Sequence, residues 1–175
     1  MILVTVGLHD RPFERLVRAA DGLAARTSEP VIIQRGVAHY APEHAAWFDA
    51  VPARQMASLI AQARVLVSHA GAGSVLAAFR AHVPTVLAAR LRCWGEAIDD
   101  HQLQLAMALA QQGRVTFLHD VSPATLLHAV EQTQWAPGPP PGASLQQALC
   151  TWLTCVPART GRRRFSLQGH GSAAE

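Results

Sequence analysis

The sequence of 175 residues contains no lysine, so arginine supplies all 15 of its Lys/Arg side chains. Because a phosphate-binding P-loop of the GxxxxGK[ST] type requires a lysine, this absence excludes a P-loop nucleotide site. No apolar run approaches the roughly 20 residues of a membrane-spanning helix, and the first residues lack the basic stretch and cleavage site of a signal peptide. The cysteines Cys93, Cys150 and Cys155 are odd in number and lack metal-ligand spacing, which agrees with a reducing compartment. We therefore expect a cytoplasmic protein.

The composition allows one domain whose core is built chiefly from alanine, leucine and valine, since 50% of the residues are hydrophobic and only 6% are aromatic. The net charge of +3 and the isoelectric point near 9.2 suit nucleotide phosphates or an anionic membrane surface. Nucleic acid is the least favoured partner, because the dense arginine cluster at 162–164 lies near the C-terminus without aromatic interleaving. No metal site is predicted: His39 and His44 are five residues apart with Pro42 between them, which is poor geometry for paired ligands.

Short apolar runs alternate with helical periodicity along the first 134 residues. The predicted strands cover residues 2–6, 31–34, 47–48, 65–67, 84–89 and 115–118. The predicted helices cover residues 12–24 and 53–63, the segment after Ser74, a segment from an Asp99 cap to Gly113, and a last one that starts at Ser122. Asp21 is expected on the polar face of the first helix, and Leu103, Ala106, Met107 and Ala110 as the buried stripe of the fourth. This order predicts an α/β, Rossmann-like, doubly wound and mostly parallel sheet.

The C-terminal part has a different character. We expect residues 1–134 to form the domain, 135–143 a Pro/Gly linker, 144–156 one additional helix, and 157–175 a disordered, basic, flexible tail.

One stretch combines a strand, a glycine turn and a helix start. The apolar run at 65–67 is followed by the residues Ser68, His69, Ala70, Gly71, Ala72, Gly73 and Ser74. Unpaired N–H groups at such a helix start favour a phosphate, although the glycines alone are also explained by a tight turn. The dinucleotide fingerprint fits poorly, because Leu76 stands where its third glycine or alanine belongs.

The motif HAGAGS, followed by VPTVL, Arg90, Gly95-Glu96 and the run DDHQ at 99–102, resembles the C-terminal domain of glycosyltransferase family 28. Within that family the chain is most similar to the small subunits of split bacterial exopolysaccharide transferases, which are relatives of the nucleotide-sugar-binding subunit of the dolichol pathway. The opening VTVGLHDRPFERLV and the VIIQRG stretch follow the same pattern, so the likeness covers about residues 1–120. The resemblance implies the C-terminal half of a two-domain GT-B fold.

The resemblance also implies a function. The chain would be the donor-binding subunit of an inverting hexosyltransferase that moves a sugar from a UDP-sugar to a polyprenyl-diphosphate-linked acceptor in exopolysaccharide or capsule biosynthesis. The missing half would come from a membrane-anchored partner subunit that recruits the chain to the inner face of the membrane, and no cofactor or metal is implied. Two alternatives remain open: a non-catalytic nucleotide-sugar-binding subunit and a dinucleotide-dependent oxidoreductase.

Several residues are candidates for contacts with the substrates, and each has a plainer alternative. The glycine turn and helix start predict that the loop His69, Ala70, Gly71, Ala72, Gly73 and Ser74 holds the diphosphate, and the guanidinium groups of Arg90 and Arg92 could offset its charge or be ordinary surface charges. Glu96 would touch ribose or sugar, and His9, in the loop after the first strand, would contact the acceptor or act as base. The resemblance implies that Asp100, His101 and Gln102 approach the sugar. The alternatives are a strand-end hydrogen bond for His69, a solvated Glu96, a capping box of Asp99 with Gln102, and a base on the partner. Uracil is expected near residues 49–54.

The chain departs from its relatives at two positions. Leu8 stands where relatives usually have threonine, and Ala77 where many carry the acidic residue that holds the ribose hydroxyls. Ribose recognition would therefore shift, for example to Glu96, or be weaker.

Overall fold

The computed structural model of the protein describes residues 1–136. The predicted helix at 144–156, the tail at 157–175, almost all of the linker and the cysteines at 150 and 155 lie outside these residues. Six strands form one sheet: β1 (Ile2–Thr5), β2 (Val31–Gln34), β3 (Ala46–Phe48), β4 (Val65–Ser68), β5 (Thr85–Leu87) and β6 (Thr116–Phe117). The helices are α1 (Glu14–Ala24), α2 (Ala53–Gln62), α3 (Ala72–Arg80), α4 (His101–Gln111) and α5 (Pro123–Gln132), with a 3₁₀ turn at Arg92–Trp94.

The strand order is β3-β2-β1-β4-β5-β6, and every neighbouring pair is parallel. The chain builds outward from β1 to β3 and then returns to place β4 on the other side of β1. In open parallel sheets, ligands bind outside the carboxyl ends of the strands at such a reversal point. The three strands at this point end in polar residues, since Thr5 is in register with Gln34 of β2 and Ser68 of β4.

Helices cover both faces of the sheet. Ile2 and Val4 pack in one cluster with residues of α1 and α5, whereas Leu3 packs in a second cluster with residues of α2 and α3. Because successive side chains of a strand point to opposite faces, the two clusters lie on opposite sides of the sheet. The Rossmann-like, doubly wound prediction is therefore confirmed. None of the helices within residues 1–136 is long and apolar enough to cross a membrane.

Asp21 was predicted to lie on the solvated polar face of α1, and this prediction is wrong because its side chain is buried. Its carboxylate accepts hydrogen bonds from the Tyr40 hydroxyl at 2.7 Å and from the N–H groups of Glu43, His44 and Ala45 at 2.8 to 3.0 Å. Burial raises the pKa of Asp21, but these hydrogen bonds outweigh it, so that the pKa lies below its usual value. Asp21 thereby fastens the loop between β2 and β3 to α1.

The start and the buried stripe of α4 also differ from the prediction. The N-cap is Asp100, not Asp99, and no capping box forms. The buried stripe consists of Leu105, Ala106 and Leu109, whereas Met107 is 42% exposed. The buried face of α4 is therefore rotated by about one residue from the predicted face. Because Gln102 lies three and four residues before Leu105 and Ala106, it is on the same side of the helix as the buried stripe and points toward the sheet edge. Gly113 has the predicted role after the helix, with φ of +66°.

The predicted start of α5 is confirmed. Ser122 is the N-cap, its hydroxyl accepts from the N–H of Thr125 at 3.3 Å, and Pro123 occupies the first helical position. The Thr125 hydroxyl in turn accepts from the N–H of Ser122, which completes a capping box.

Candidate functional site

A pocket of about 460 Å³ opens at the carboxyl edge of the sheet, beside the point where the strand order reverses. Its walls come from the ends of β1 and β2, from the loops after β1, β3 and β4, and from α2 and α3. The lining residues are Thr5, Gly7, Leu8, Gln34, Val51, Ala53, Met56, Ala57, Ile60, His69, Gly71, Gly73, Ser74 and Ala77. Since none of these residues is acidic, the lining carries no side-chain charge that would repel an anion.

The first turn of α3 faces this pocket through Gly73 and Ser74. Gly71 is the N-cap and provides no side-chain cap, and the first intrahelical bond runs from the N–H of Val75 to the carbonyl of Gly71 at 3.1 Å. The N–H groups of Ala72, Gly73 and Ser74 precede that bond and have no i−4 carbonyl within the helix. Together with the positive end of the helix dipole, they form a site suited to an anion.

The other residues of the glycine loop contribute in different ways. Ala70 is buried and has φ of +62°, a left-handed conformation that is costly for a residue with a Cβ, so it shapes the loop through its backbone. Ala72 is exposed and lies outside the pocket lining, and as the first residue of α3 it has a backbone N–H without an intrahelical partner. His69, Gly71, Gly73 and Ser74 line the pocket.

His69 is nearly buried beneath the loop and is uncharged at neutral pH. Burial, and to a smaller extent the positive charge of Arg90, lower the pKa of His69 to about 4. Its Nδ1 lies 3.3 Å from the carbonyl oxygen of Thr5. Because a carbonyl only accepts, Nδ1 carries the ring proton and donates a hydrogen bond to Thr5. His69 therefore makes the strand-end hydrogen bond and its ring also lines the pocket, while its contact with a diphosphate stays a prediction.

The glycines around the pocket differ in what surrounds them. A Cβ added at Gly7 would lie 2.5 Å from Nε2 of His69, and one added at Gly71 would lie 2.2 Å from the same atom. A Cβ added at Gly73 would meet no protein atom within 4 Å. Gly7 and Gly71 are therefore needed for the packing of His69, whereas Gly73 leaves open space at the start of α3.

Arg90 does not line the pocket, although its guanidinium group was predicted to offset the charge of the diphosphate. The side chain is 1% exposed, and its terminal nitrogens donate to the carbonyls of Val6 and Arg11, both at 2.8 Å, and of Glu96 at 3.2 Å. Burial lowers the pKa of Arg90 to about 10, while nearby Glu96 and Asp10 oppose this effect, so the group stays charged at neutral pH. Arg90 thus holds together the loops after β1 and β5. Arg92, its proposed companion, is exposed.

Glu96 is neither solvated nor free for a ribose. It is 6% exposed and pairs with Arg15 of α1, with nitrogen–oxygen distances of 2.9 and 3.2 Å. The same carboxylate accepts from the N–H of Leu91 at 3.0 Å. Both oxygens of Glu96 are therefore committed to fixing the loop after β5 onto α1.

The run from Asp99 to Gln102 forms the start of α4. Asp99 accepts from the N–H of His101 at 3.2 Å and pairs with its Nδ1 at 2.5 Å, and these hydrogen bonds lower the pKa of Asp99. Asp100 and His101 are exposed, and Asp100 accepts from the N–H of Arg92 at 3.4 Å. Gln102 accepts through Oε1 from the N–H of Arg90 at 3.4 Å, and its amide nitrogen makes no hydrogen bond within the described part of the chain. Gln102 thus keeps donors available beside the loop after β5.

His9 lies in the loop after β1, next to Leu8 but outside the pocket lining. Its Nδ1 is 2.8 Å from the carboxylate of Asp10 and 3.1 Å from the N–H of Arg11. The side chain is 31% exposed, so it remains accessible from outside the pocket.

Sequence reasoning missed a buried polar group beneath the pocket. Gln34 is 1% exposed, and its amide bonds to both the N–H and the carbonyl of Gly7 and to the carbonyl of Asp49. The Thr5 hydroxyl donates to the same amide oxygen. The available signal was the polar residue that ends each apolar strand, ILVT in β1 and VIIQ in β2, at the edge where ligands bind.

No group of three or more histidine, cysteine, aspartate or glutamate side chains within residues 1–136 has the arrangement of a metal site.

A family model described as the glycosyltransferase family 28 C-terminal domain matches residues 1–136. A comparison with curated proteins gave no match. Among solved structures, the chain is similar to CalG4, the calicheamicin glycosyltransferase, with a TM-score of 0.60 and 26% identity over 75% of this chain and 34% of that chain.

Two further solved structures show the same fold at lower identity. The glycosyltransferase of kitacinnamycin has a TM-score of 0.60 and 22% identity, with 75% of this chain and 34% of that chain covered. A UDP-glucose:anthocyanidin 3-O-glucosyltransferase in complex with UDP has a TM-score of 0.56 and 14% identity, with 74% of this chain and 30% of that chain covered. The match therefore spans about a third of the length of the structures that resemble the chain.

Proposed function

The chain belongs to the glycosyltransferase family 28 C-terminal domain family, and from this premise we propose that it is the donor-binding subunit of an inverting UDP-sugar hexosyltransferase. The observation that carries the proposal is the pocket at the strand-order reversal, which has an uncapped helix start on one side and an apolar wall on the other. A UDP-sugar suits both features, because its diphosphate is anionic and the flat faces of its base can pack against apolar side chains.

We place the diphosphate at the start of α3. The N–H groups of Ala72, Gly73 and Ser74 and the Ser74 hydroxyl offer donors to the phosphate oxygens, and the helix dipole favours negative charge there. Catalysis by such a site is electrostatic, since the same donors stabilise the diphosphate as the bond to the sugar breaks.

We place the uracil against the wall formed by Val51, Met56 and Ala57, close to the segment at 49–54 that the resemblance implied. The ribose would then lie near Ala77, which lines the pocket without a carboxylate. Since Glu96 is fully paired with Arg15 and Leu91, it does not replace the missing acid. The affinity for UDP should therefore depend on the diphosphate more than on the ribose.

Among residues 1–136, the pocket by itself offers no suitable base for deprotonating an acceptor. His69 is the one ionisable side chain among its described lining residues, and a pKa of about 4 makes it a weak base at neutral pH. His9 remains the candidate in this chain, and a base on another subunit is the alternative. This composition favours a site that a second subunit completes.

We propose that the second subunit is membrane-anchored and brings a polyprenyl-diphosphate-linked acceptor for exopolysaccharide or capsule synthesis. Three large apolar side chains are exposed in two loops: Leu8, in the loop after β1 and at the pocket, is 77% exposed, and Trp94 and Ile98, in the loop after β5, are each 68% exposed. The hydrogen bond from Arg11 to the carbonyl of Gly95, at 3.2 Å, joins the two loops that carry them. A partner that covers these side chains would remove apolar surface from water while closing the cleft.

The proposal is tested by sugar transfer from a panel of radiolabelled UDP-sugars to lipid acceptor, with the chain alone and with the co-expressed membrane subunit. We expect transfer with the pair only, and loss of discrimination among UDP-sugars in Gln102→Ala. Full-rate transfer by the isolated chain would contradict the split arrangement. If the chain binds a UDP-sugar but the pair transfers no sugar, the result would favour a non-catalytic nucleotide-sugar-binding subunit. This is the second candidate function, because Leu8 and Ala77 replace the residues that relatives usually have at these positions.

A further inference from the structure

We infer that Gln34 is a positioning residue of the donor pocket: its amide fixes the loop after β1 relative to the loop after β3 and so sets the spacing of the two walls. The inference rests on the proposed function for the identity of the ligand, a uridine diphosphate group. The geometry on which it depends is independent of that ligand.

The side-chain amide of Gln34 makes hydrogen bonds through both its oxygen and its nitrogen. Its Oε1 accepts from the N–H of Gly7 at 3.2 Å and from the Thr5 hydroxyl, while its Nε2 donates to the carbonyl of Gly7 at 2.9 Å and to the carbonyl of Asp49 at 3.3 Å. A single side chain therefore holds both polar groups of the Gly7 residue and one of Asp49. Gln34 itself is 1% exposed, so water has little access to its amide group.

These contacts extend to the phosphate side of the pocket. Gly7 has φ of +76° and lies against the ring of His69, which in turn lies against Gly71. Asp49 immediately precedes the segment that contains Val51 in the opposite wall. Gln34 therefore connects the wall assigned to the base with the loop that leads into the helix start assigned to the diphosphate.

The chemistry requires an amide at this position. A carboxylate has the same shape but carries no donor for the carbonyls of Gly7 and Asp49, and an aliphatic side chain has neither donor nor acceptor. Either replacement would remove the donor to the Gly7 carbonyl. The Asp49 carbonyl would keep only the N–H of Gly36, at 3.1 Å, and with leucine the Gly7 N–H would keep only the Thr5 hydroxyl, at 3.3 Å, so we expect both loops to relax.

The test compares Gln34→Leu and Gln34→Glu with wild type by calorimetric titration of UDP, at pH 7.5 and at pH 5.5. Expected for Gln34→Leu is a dissociation constant raised about tenfold at both pH values, the equivalent of one lost hydrogen bond. For Gln34→Glu, the ratio of variant to wild-type dissociation constant should fall at pH 5.5, because a protonated carboxyl regains one donor. The ratio cancels the titration of UDP itself.

The matched control is Thr133→Val. Thr133 is also buried, and its hydroxyl bonds to the Thr116 hydroxyl at 2.7 Å and to the carbonyl of Ala129 at 2.6 Å, but it does not line the pocket. It should lower the unfolding midpoint without changing the dissociation constant for UDP. An equal loss of affinity in Thr133→Val, or unchanged affinity in folded Gln34→Leu, would overturn the inference.

Amide hydrogen exchange separates this inference from the proposed function. Exchange should accelerate in Gln34→Leu at Gly7, in the loop after β1, and at Gly36, whose N–H donates to the Asp49 carbonyl at the start of the loop after β3. It should stay unchanged in Thr133→Val, with no ligand present. If wild-type protein binds no UDP, the proposed function fails, and the exchange rates decide the role of Gln34 alone. Unchanged exchange at both loops in Gln34→Leu would contradict the positioning role whatever the ligand.

Discussion

The imidazole of His69 occupies the space that a side chain at Gly71 would need, since a Cβ there would lie 2.2 Å from Nε2 of the ring. The hydrogen bond between Nδ1 and the Thr5 carbonyl, at 3.3 Å, keeps the ring in this place. The glycine loop is therefore held from beneath by a side chain of its own motif. This packing distinguishes the two glycines of the motif, because the space around Gly73 is open.

Gly71→Ala should destabilise the protein by about 1–3 kcal/mol, because either the ring or the loop must move. Gly73→Ala should cause no loss, and a gain of up to about 1 kcal/mol is expected, because alanine is the better helix former. Urea denaturation of the two variants measures the difference. Equal destabilisation by both substitutions would show that His69 does not pack as described.

The depressed pKa of His69 makes folding dependent on pH. Its pKa is about 4 in the folded protein and 6.5 in an exposed histidine, so the unfolded chain binds the proton more tightly. The contribution of neutral His69 to the free energy of unfolding is therefore fully present above pH 6.5. It decreases by about 3 kcal/mol as the pH falls from 6.5 toward 4. Comparing unfolding free energies at pH 7.5 and 4.5 in wild type and His69→Gln isolates the contribution. The same decrease in both proteins would refute it.

Arg90 and Arg92 should behave in opposite ways when they are replaced. Arg90→Met leaves the carbonyls of Val6, Arg11 and Glu96 without their donor, and we expect a loss of about 3 kcal/mol or more. Arg90→Lys should also be destabilising, because one ammonium group does not reproduce the planar fork. Arg92→Ala changes an exposed residue and should alter stability by less than about 0.5 kcal/mol. Thermal and urea denaturation provide the comparison, and a neutral Arg90→Met would contradict the structural role.

Asp21→Ala removes the acceptor for four hydrogen bonds at once and should cost about 2–4 kcal/mol, with the loop between β2 and β3 loosened. Tyr40→Phe removes one of these bonds and should cost about 1 kcal/mol.

Since the pKa of Asp21 is lowered by folding, the contribution of its carboxylate to stability is present above the unfolded pKa of 3.8 and is lost as the pH falls through the folded value. Limited proteolysis near residues 37–45 measures the loosening, and equal protection in both variants would contradict it.

The sheet could be predicted from sequence because its signals are local. Each parallel strand is buried on both faces and is therefore a short apolar run, and Ser122-Pro123 identifies the start of α5 without reference to the rest of the fold. The fourth helix was harder, since Leu103 and Met107 compete with Leu105 and Leu109 for the inner face. Only packing against the sheet decides between two nearly equivalent stripes.

The partners of the polar residues could not be predicted, because they depend on contacts far apart in sequence. Arg90 bonds to Val6 across 84 residues, and Glu96 pairs with Arg15 across 81. In sequence, an arginine after a strand and a glutamate in a loop are equally consistent with a ligand contact or a structural bond. The glycine motif was predictable because strand, turn and helix start are adjacent in the chain.

The central claim is that UDP binds with its diphosphate at the start of α3, and calorimetric titration of UDP into wild type, Gly73→Ala and Ala61→Ser tests it most directly. Ala61→Ser adds one heavy atom at an exposed position of α2 outside the pocket and is the control. The account predicts micromolar binding that is weakened at least about tenfold in Gly73→Ala and unchanged in Ala61→Ser, with Gly73→Ala at least as stable as wild type. Equal affinity in all three proteins would place the nucleotide elsewhere and contradict the account.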